Sequence, residues 1–262
     1  MAAIQTGNTV LKVDNLSIQF GGLKAVADLN LELPQGILFG LIGPNGAGKT
    51  TVFNMLTGVY QPSAGRISAF GHNLVGLKPF EITRKGLART FQNIRLFKDL
   101  SVLDNVLISL DQNPSTPKYG MLSSIVWTTS VVRSEQDKID RAIDVLKIFG
   151  LQLRAHEIAR NLPYGDQRRL EIARALGTGA KLLLLDEPAA GLNSQETQGL
   201  MQTIRSLRHN YAVTVLLIEH DMKLVMGMCE RIAVLDYGVK IAEGTAAEIQ
   251  RNPRVIEAYL GK

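Results

Sequence analysis

The sequence predicts an α/β protein: a parallel α/β core, an antiparallel β part, and an inserted helical subdomain. Three observations carry that prediction. Residues 10–20 alternate loosely between polar and apolar, and 29–33 (LNLEL) alternate cleanly, as half-buried antiparallel strands do. Residues 37–42 form a short apolar run that enters a glycine-rich loop and then a helical pattern, the opening of a parallel α/β unit. Between about residues 90 and 165 the strand-sized runs give way to helical periodicity.

The elements follow in chain order. A helix is predicted over residues 50–57, stopped by Gly58. Ser101-Val-Leu-Asp104 has the form of a capping box, with Asp104 in the glutamate position, opening a helix to about Leu110. Residues 111–130 are turn-rich and hold Pro114, Pro117 and Gly120. Ser134 then begins a second helix, with Ile139, Ile143, Leu146 and Phe149 on one face and Gly150 as its stop. Buried strands are predicted at 181–185, 213–218 and 231–236. Ser194 caps a helix whose Leu200, Ile204 and Leu207 recur at helical spacing. Residues 246–262 read as two short helices broken at Asn252-Pro253. The chain is therefore one domain of 1–262. Residues 1–90 and 166–245 form the core with its antiparallel part, about 91–165 the helical subdomain, and 246–262 a helical tail.

Composition excludes several classes. With 262 residues, 45% hydrophobic and 20% charged, the chain can bury a sizeable core and is neither disordered nor collagenous. One cysteine, Cys229, cannot form an internal disulfide; it reads as a small buried residue on the helix after His220. No stretch approaches the ~20 apolar residues of a membrane-spanning helix, and the N-terminus lacks the pattern of a signal peptide. A soluble, cytoplasmic chain is expected, which meets a membrane only through other chains. The net charge of +5 arises from 29 basic and 24 acidic residues, a mild excess that suits an anionic partner or a membrane surface.

The chemistry is concentrated in two motifs. Gly43-Pro44-Asn45-Gly46-Ala47-Gly48-Lys49-Thr50 fits the phosphate-loop pattern, with a strand before and a helix after. Its glycines let backbone N–H groups turn inward onto phosphate, and the helix start adds its positive dipole end. Lys49 would reach the β- and γ-phosphates, and the Thr50 hydroxyl would ligate Mg2+. The run Lys181-Leu-Leu-Leu-Leu-Asp186-Glu187 buries a strand and presents two carboxylates at its C-terminal end, where open α/β sheets bind ligands. Neighbouring residues on a strand point opposite ways, so Asp186 can hold Mg2+ through water while Glu187 polarises the attacking water.

Residues 161–176, Asn-Leu-Pro163-Tyr-Gly165-Asp166-Gln-Arg-Arg-Leu-Glu-Ile-Ala-Arg-Ala-Leu, resemble the signature motif of ABC-type ATPases. The resemblance spans nearly the whole chain. Phe20 stands where that family's adenine-stacking aromatic lies, and Gln92 in Arg-Thr-Phe-Gln92-Asn matches its glutamine loop. Ala190-Gly191-Leu192-Asn193 matches the dimer loop, and His220 in Ile-Glu-His220-Asp the switch histidine. Within the family the chain is most similar to the ATP-binding subunits of branched-chain amino acid importers. Phe-Gly-Gly-Leu near residue 20, the Arg-Thr-Phe-Gln-Asn loop, Tyr-Gly-x-Gln-Arg-Arg-Leu-Glu and the terminal Asn-Pro-x-Val-Ile-x-Ala-Tyr-Leu-Gly carry that likeness.

The resemblance implies a P-loop NTPase core of ABC type that works as the motor subunit of a membrane transporter. ATP would be held by Phe20, by residues 43–50 together with Thr51, and, across a dimer, by Gly165. Thr50, Gln92 and Asp186 would hold Mg2+, and Glu187, His220, Lys49 and Gln92 would form the catalytic set. The implied partners are transmembrane permease subunits, a second ATP-binding subunit (a different one, or a copy of this chain), and indirectly a periplasmic or extracellular solute-binding protein. Nucleic acid is not among them. The implied location is the cytoplasmic face of the inner membrane. Two departures stand out: Pro163 replaces the signature serine, and Asp166 a neutral glutamine. The competing readings are a lipid or lipopolysaccharide exporter ATPase and a soluble ABC-type ATPase acting on ribosomes or DNA. An ordinary P-loop kinase leaves the signature and His220 without a use.

Overall fold

The computed structural model describes residues 8–116 and 129–260. Alternation in the first third of the chain yields β1 (Thr9–Phe20) and β2 (Leu23–Pro34), paired antiparallel. With β4 (Ala64–Ala69) and β5 (His72–Asn73) they form a four-stranded sheet of order β2-β1-β4-β5. The second sheet has six strands, in the order β10-β9-β3-β8-β7-β6. Its members are β3 (Leu38–Ile42), β6 (Leu87–Arg89), β7 (Leu182–Asp186), β8 (Thr214–Ile218), β9 (Arg231–Asp236) and β10 (Val239–Gly244). The pairs β3·β8, β3·β9, β7·β8 and β6·β7 are parallel, while β10 turns back antiparallel on β9.

The continuous apolar runs are explained by burial on both faces of this sheet. Leu183 and Leu185 of β7 enter one core with Val215 and Leu217 of β8. Leu182 and Leu184 enter the other core with Leu216 and Ile218. The first core is completed by the helical insert, and the second by the antiparallel sheet and α1 (Lys49–Leu56).

The remaining helices are α2 (Pro79–Arg84), α3 (Val102–Leu110), α4 (Thr129–Ile148), α5 (Tyr164–Gly177), α6 (Ser194–Tyr211), α7 (Met222–Met228), α8 (Ala246–Arg251) and α9 (Pro253–Leu260). No helix among the described residues is long and apolar enough to cross a membrane.

Several boundaries differ from expectation. Helix α4 starts at Thr129 rather than Ser134, because a serine is tolerated within a helix already under way. Its buried face is Ala142, Leu146 and, just past its end, Phe149, with Ile139 and Ile143 half-buried. Most of the turn-rich segment 111–130 lies outside the described residues. Asn193, not Ser194, caps α6: its side chain accepts from Glu196 N at 2.9 Å, and Glu196 returns a bond to Asn193 N. Ser101 caps α3, but Asp104 is one methylene too short for the return bond to the backbone and accepts the Ser101 hydroxyl instead, at 2.6 Å. Cys229 is the C-cap of α7, not a residue within it. Residue 166 falls in the first turn of α5, which runs unbroken from the helical insert toward β7.

Candidate functional site

The site is built at the C-terminal ends of four neighbouring parallel strands. The phosphate loop follows β3, His220 lies two residues past β8, Glu187 follows β7, and Gln92 stands three residues past β6. Ligands bind in the crevice outside those strand ends in open α/β sheets.

Between β3 and α1 the chain curls tightly. Gly43 has a φ of 152°, and a Cβ there would lie 2.1 Å from Leu235 O. Gly48 caps α1 at φ 97°, where a Cβ would meet Ala25 O at 2.7 Å. Only glycine fits either position. Lys49 is buried and folds back over the loop, donating from Nζ to Gly43 O at 2.7 Å and Pro44 O at 2.8 Å. Burial lowers its pKa, and the nearby Glu187 and Asp186 carboxylates oppose that shift. Above the loop lies a cavity of about 350 Å³, lined by Ala25, Asn45 to Thr51, Glu187 and Tyr237 among others.

Asp186 ends β7 in the core, whereas Glu187 turns out of it with a left-handed φ of 46°. Such a conformation costs a non-glycine residue about 1–3 kcal/mol and persists where surrounding structure imposes it. Here Glu187 N donates to Ile218 O at 2.9 Å, fixing the turn to β8. The Glu187 carboxylate accepts Gln92 Nε2 at 3.0 Å, and His220 Nδ1 lies 3.7 Å from the same oxygen. Glu187, Gln92, His220 and Lys49 are thus brought to one place. Phe20 packs edge-on against Tyr60, with ring centroids 5.2 Å apart, and is not among the cavity-lining residues.

Gly165 sits in the first turn of α5, where an added Cβ would lie 2.9 Å from Glu196 Oε1. It is directed at α6 of its own chain and does not line the cavity. Pro163 is the N-cap of α5 and provides no side-chain cap. Asp166 is balanced by Arg154 at 3.6 Å and Arg169 at 3.5 Å.

Four residues that organise the site were not singled out from sequence. Arg168 is fully buried and donates to Phe91 O and Gln92 O, each at 2.7 Å, and to Glu171 at 2.8 Å. Glu171 in turn accepts from Arg95 N and Phe91 N, so the signature helix grips both sides of the glutamine loop. Burial raises the Glu171 pKa despite those donors. Glu219 is buried beside His220 and accepts from Ala189 N at 3.0 Å and His220 N at 3.2 Å, with its pKa raised by burial. Arg89 pairs with Asp186 at 2.7 Å. A signal existed only for Arg168 and Glu171, whose i,i+3 spacing suits an ion pair on one helix face.

A magnesium ion fits the donors present. Mg2+ favours oxygen ligands, one or two of them carboxylates, together with substrate phosphate. Thr50 lines the cavity at the start of α1, and Asp186 keeps Oδ1 free of hydrogen bonds among the described residues.

The comparisons agree with this geometry. Residues 26–190 match the family model described as ABC transporter, and residues 239–262 match one described as branched-chain amino acid ATP-binding cassette transporter. The chain is 49% identical over 253 residues to the high-affinity branched-chain amino acid transport ATP-binding protein LivG of Escherichia coli, covering 97% of this chain and 98% of that one. It is 47% identical to BraF of Pseudomonas aeruginosa, described in the same words, over the same shares of the two chains. Among solved structures, a nucleotide-free ATP-binding cassette from an ABC transporter superposes with a TM-score of 0.82 at 28% identity, over 97% of this chain and all of that one. An ADP conformation of an ATP-binding cassette gives the same values. A phosphate loop, acidic strand, glutamine-bearing loop and histidine gathered at one crevice, in a chain with this fold and these relatives, leave one conclusion: the chain belongs to the ABC transporter family, as an ATP-binding cassette with the ATPase activity of that family.

Proposed function

We propose that this chain is the ATP-binding and ATP-hydrolysing motor subunit of a membrane transporter that takes up branched-chain amino acids. The observation that carries the hydrolytic reading is the Glu187 carboxylate, facing the cavity over the phosphate loop and held by Gln92 at 3.0 Å. The names of the 47–49% identical relatives support the cargo.

ATP would lie with its phosphates on residues 43–51 and its adenine against Phe20. Lys49 would give up its loop carbonyls for the β- and γ-phosphates and offset charge growing on the transferred phosphoryl group. Glu187 would align water for in-line attack and take its proton, while His220 contacts the γ-phosphate. Bound through Thr50, Gln92 and Asp186, Mg2+ would neutralise phosphate charge. The start of α5, with Gly165, would close on the phosphates of a second ATP-binding subunit, of a different kind or a copy of this chain. Hydrolysis removes the charge that holds the two together. The helical insert, about 91–165 of a single ATPase domain, would dock on permease subunits at the cytoplasmic face of the membrane. A solute-binding protein would act through those permeases.

The test is purification of the membrane complex, identification of the chains that accompany this one, and reconstitution with radiolabelled leucine. Uptake driven by ATP and abolished without this chain is expected. Hydrolysis stimulated by nucleic acid or lipid instead of amino-acid uptake would overturn the reading.

A further inference from the structure

We propose that Arg89 is a positioning residue for the metal-facing carboxylate: it clamps one oxygen of Asp186, sets the other toward the metal, and ties that carboxylate to the helix carrying Thr50. The proposal rests on the reading above that Asp186 and Thr50 face Mg2+.

The Arg89 and Asp186 side chains are each only 5% exposed and meet at 2.7 Å, Nη2 to Oδ2. The other amino group, Nη1, donates to Asn54 Oδ1 at 2.5 Å. Asn54 lies four residues after Thr50 on α1, on the same side of that helix. The guanidinium also lies over two rings, 5.5 Å from the Phe53 centroid and 4.9 Å from that of Phe91. Its planar fork thus joins α1 to the end of β7, three residues before Gln92, while the rings hold it in plane. Thr90 reinforces the register: its N–H donates to Leu184 O at 3.0 Å, and its hydroxyl accepts Asp186 N–H at 3.4 Å. Every expected metal-facing group, Thr50, Asp186 and Gln92, is therefore within a few residues of an Arg89 contact.

A carboxylate that faces a metal needs a fixed orientation, and hydrogen-bonded outer partners supply it; removing one typically weakens metal affinity 10–100-fold. Lysine has the charge but not the fork, so it cannot bond Asn54 and Asp186 in one plane.

The test measures binding of a fluorescent ATP analogue to the full chain, in EDTA and across a Mg2+ titration, for wild type, Arg89→Met, Arg89→Lys and Asn54→Ala. In Arg89→Met the half-saturating Mg2+ concentration should rise about 10–100-fold, with affinity in EDTA within about twofold of wild type. Arg89→Lys should recover part of that loss. Asn54→Ala, which leaves the ion pair intact, should raise the Mg2+ midpoint less, and it carries the test if Arg89→Met does not fold. An unchanged midpoint, or equal loss with and without Mg2+, would make Arg89 purely structural. A lower midpoint would make it a competitor of the metal, and either result overturns the proposal. Wild-type protein that binds the analogue equally with and without Mg2+ would instead refute the metal assignment beneath it.

Discussion

Arg168→Met tests how the signature helix holds the loop that carries Gln92. The guanidinium is fully buried and serves Glu171 and the carbonyls of Phe91 and Gln92, all within 2.8 Å. Methionine fills much of the volume but takes the paired cation from a buried carboxylate, leaving only Arg174, beyond ion-pair distance, as a nearby positive charge. Removing one partner of a buried pair costs about 3–5 kcal/mol. For a chain of this size, at ~2–4 °C per kcal/mol, the melting temperature should fall by roughly 6–20 °C. The loss should also depend on pH. Burial already holds the Glu171 pKa above its usual value, and without Arg168 that shift grows. A carboxylate whose folded pKa exceeds its unfolded one penalises the fold above the folded pKa, and not below the unfolded value. The deficit should therefore be largest at pH 8 and shrink toward pH 5. Glu171→Gln added to Arg168→Met should recover stability at pH 8, because it removes the unpaired charge. Urea unfolding followed by circular dichroism, at both pH values, reads the cost, its pH dependence and the recovery, and a thermal melt reads the shift in melting temperature. A cost below about 1 kcal/mol, or one independent of pH, would refute the account of this pair as the buried anchor of the loop.

Three further outcomes are expected. Glu187→Gln should keep nucleotide affinity while turnover falls about 10²–10⁴-fold, and turnover near the wild-type rate would remove Glu187 as the base. Pro163→Ser should raise ATP hydrolysis in the assembled transporter by restoring a hydroxyl at the start of α5. A capping gain of ~0.5–2 kcal/mol there is largely offset by ~0.4–1 kcal/mol from losing proline's rigidity, so a rate that fails to rise counts against a phosphate contact rather than against folding. Burial pushes the Cys229 thiol up to about 12, so iodoacetamide at pH 8 should label it only in denaturant; rapid labelling of native protein would contradict its place in the core.

Much of the frame was legible in the chain. Leucine runs marked β7 and β8 because both faces of those strands are buried, and the phosphate loop was legible because its chemistry is contiguous. Three-residue β6 was not, since so short a strand has no periodicity to read and owes its existence to pairing with β7. The cap of α6 is one residue before the Ser194 that the sequence suggests, because Asn193 and Ser194 are both good caps and only the return bond from Glu196 selects between them.

The sequence by itself determined the strand–loop–helix that must cradle phosphate, the acidic strand, and the ordered motifs that identify the family. These are local: glycine conformations, apolar runs and neighbouring carboxylates need no distant partner. The tertiary structure decided which of those residues meet. Gln92 and Glu187, 95 positions apart, touch because β6 and β7 are adjacent parallel strands whose C-terminal ends face one crevice. The same adjacency put Arg89 on Asp186 and Arg168 under the glutamine loop. Strand order is set by burial on both sheet faces and by which helices cover them, a sum over the whole chain that no single motif contains.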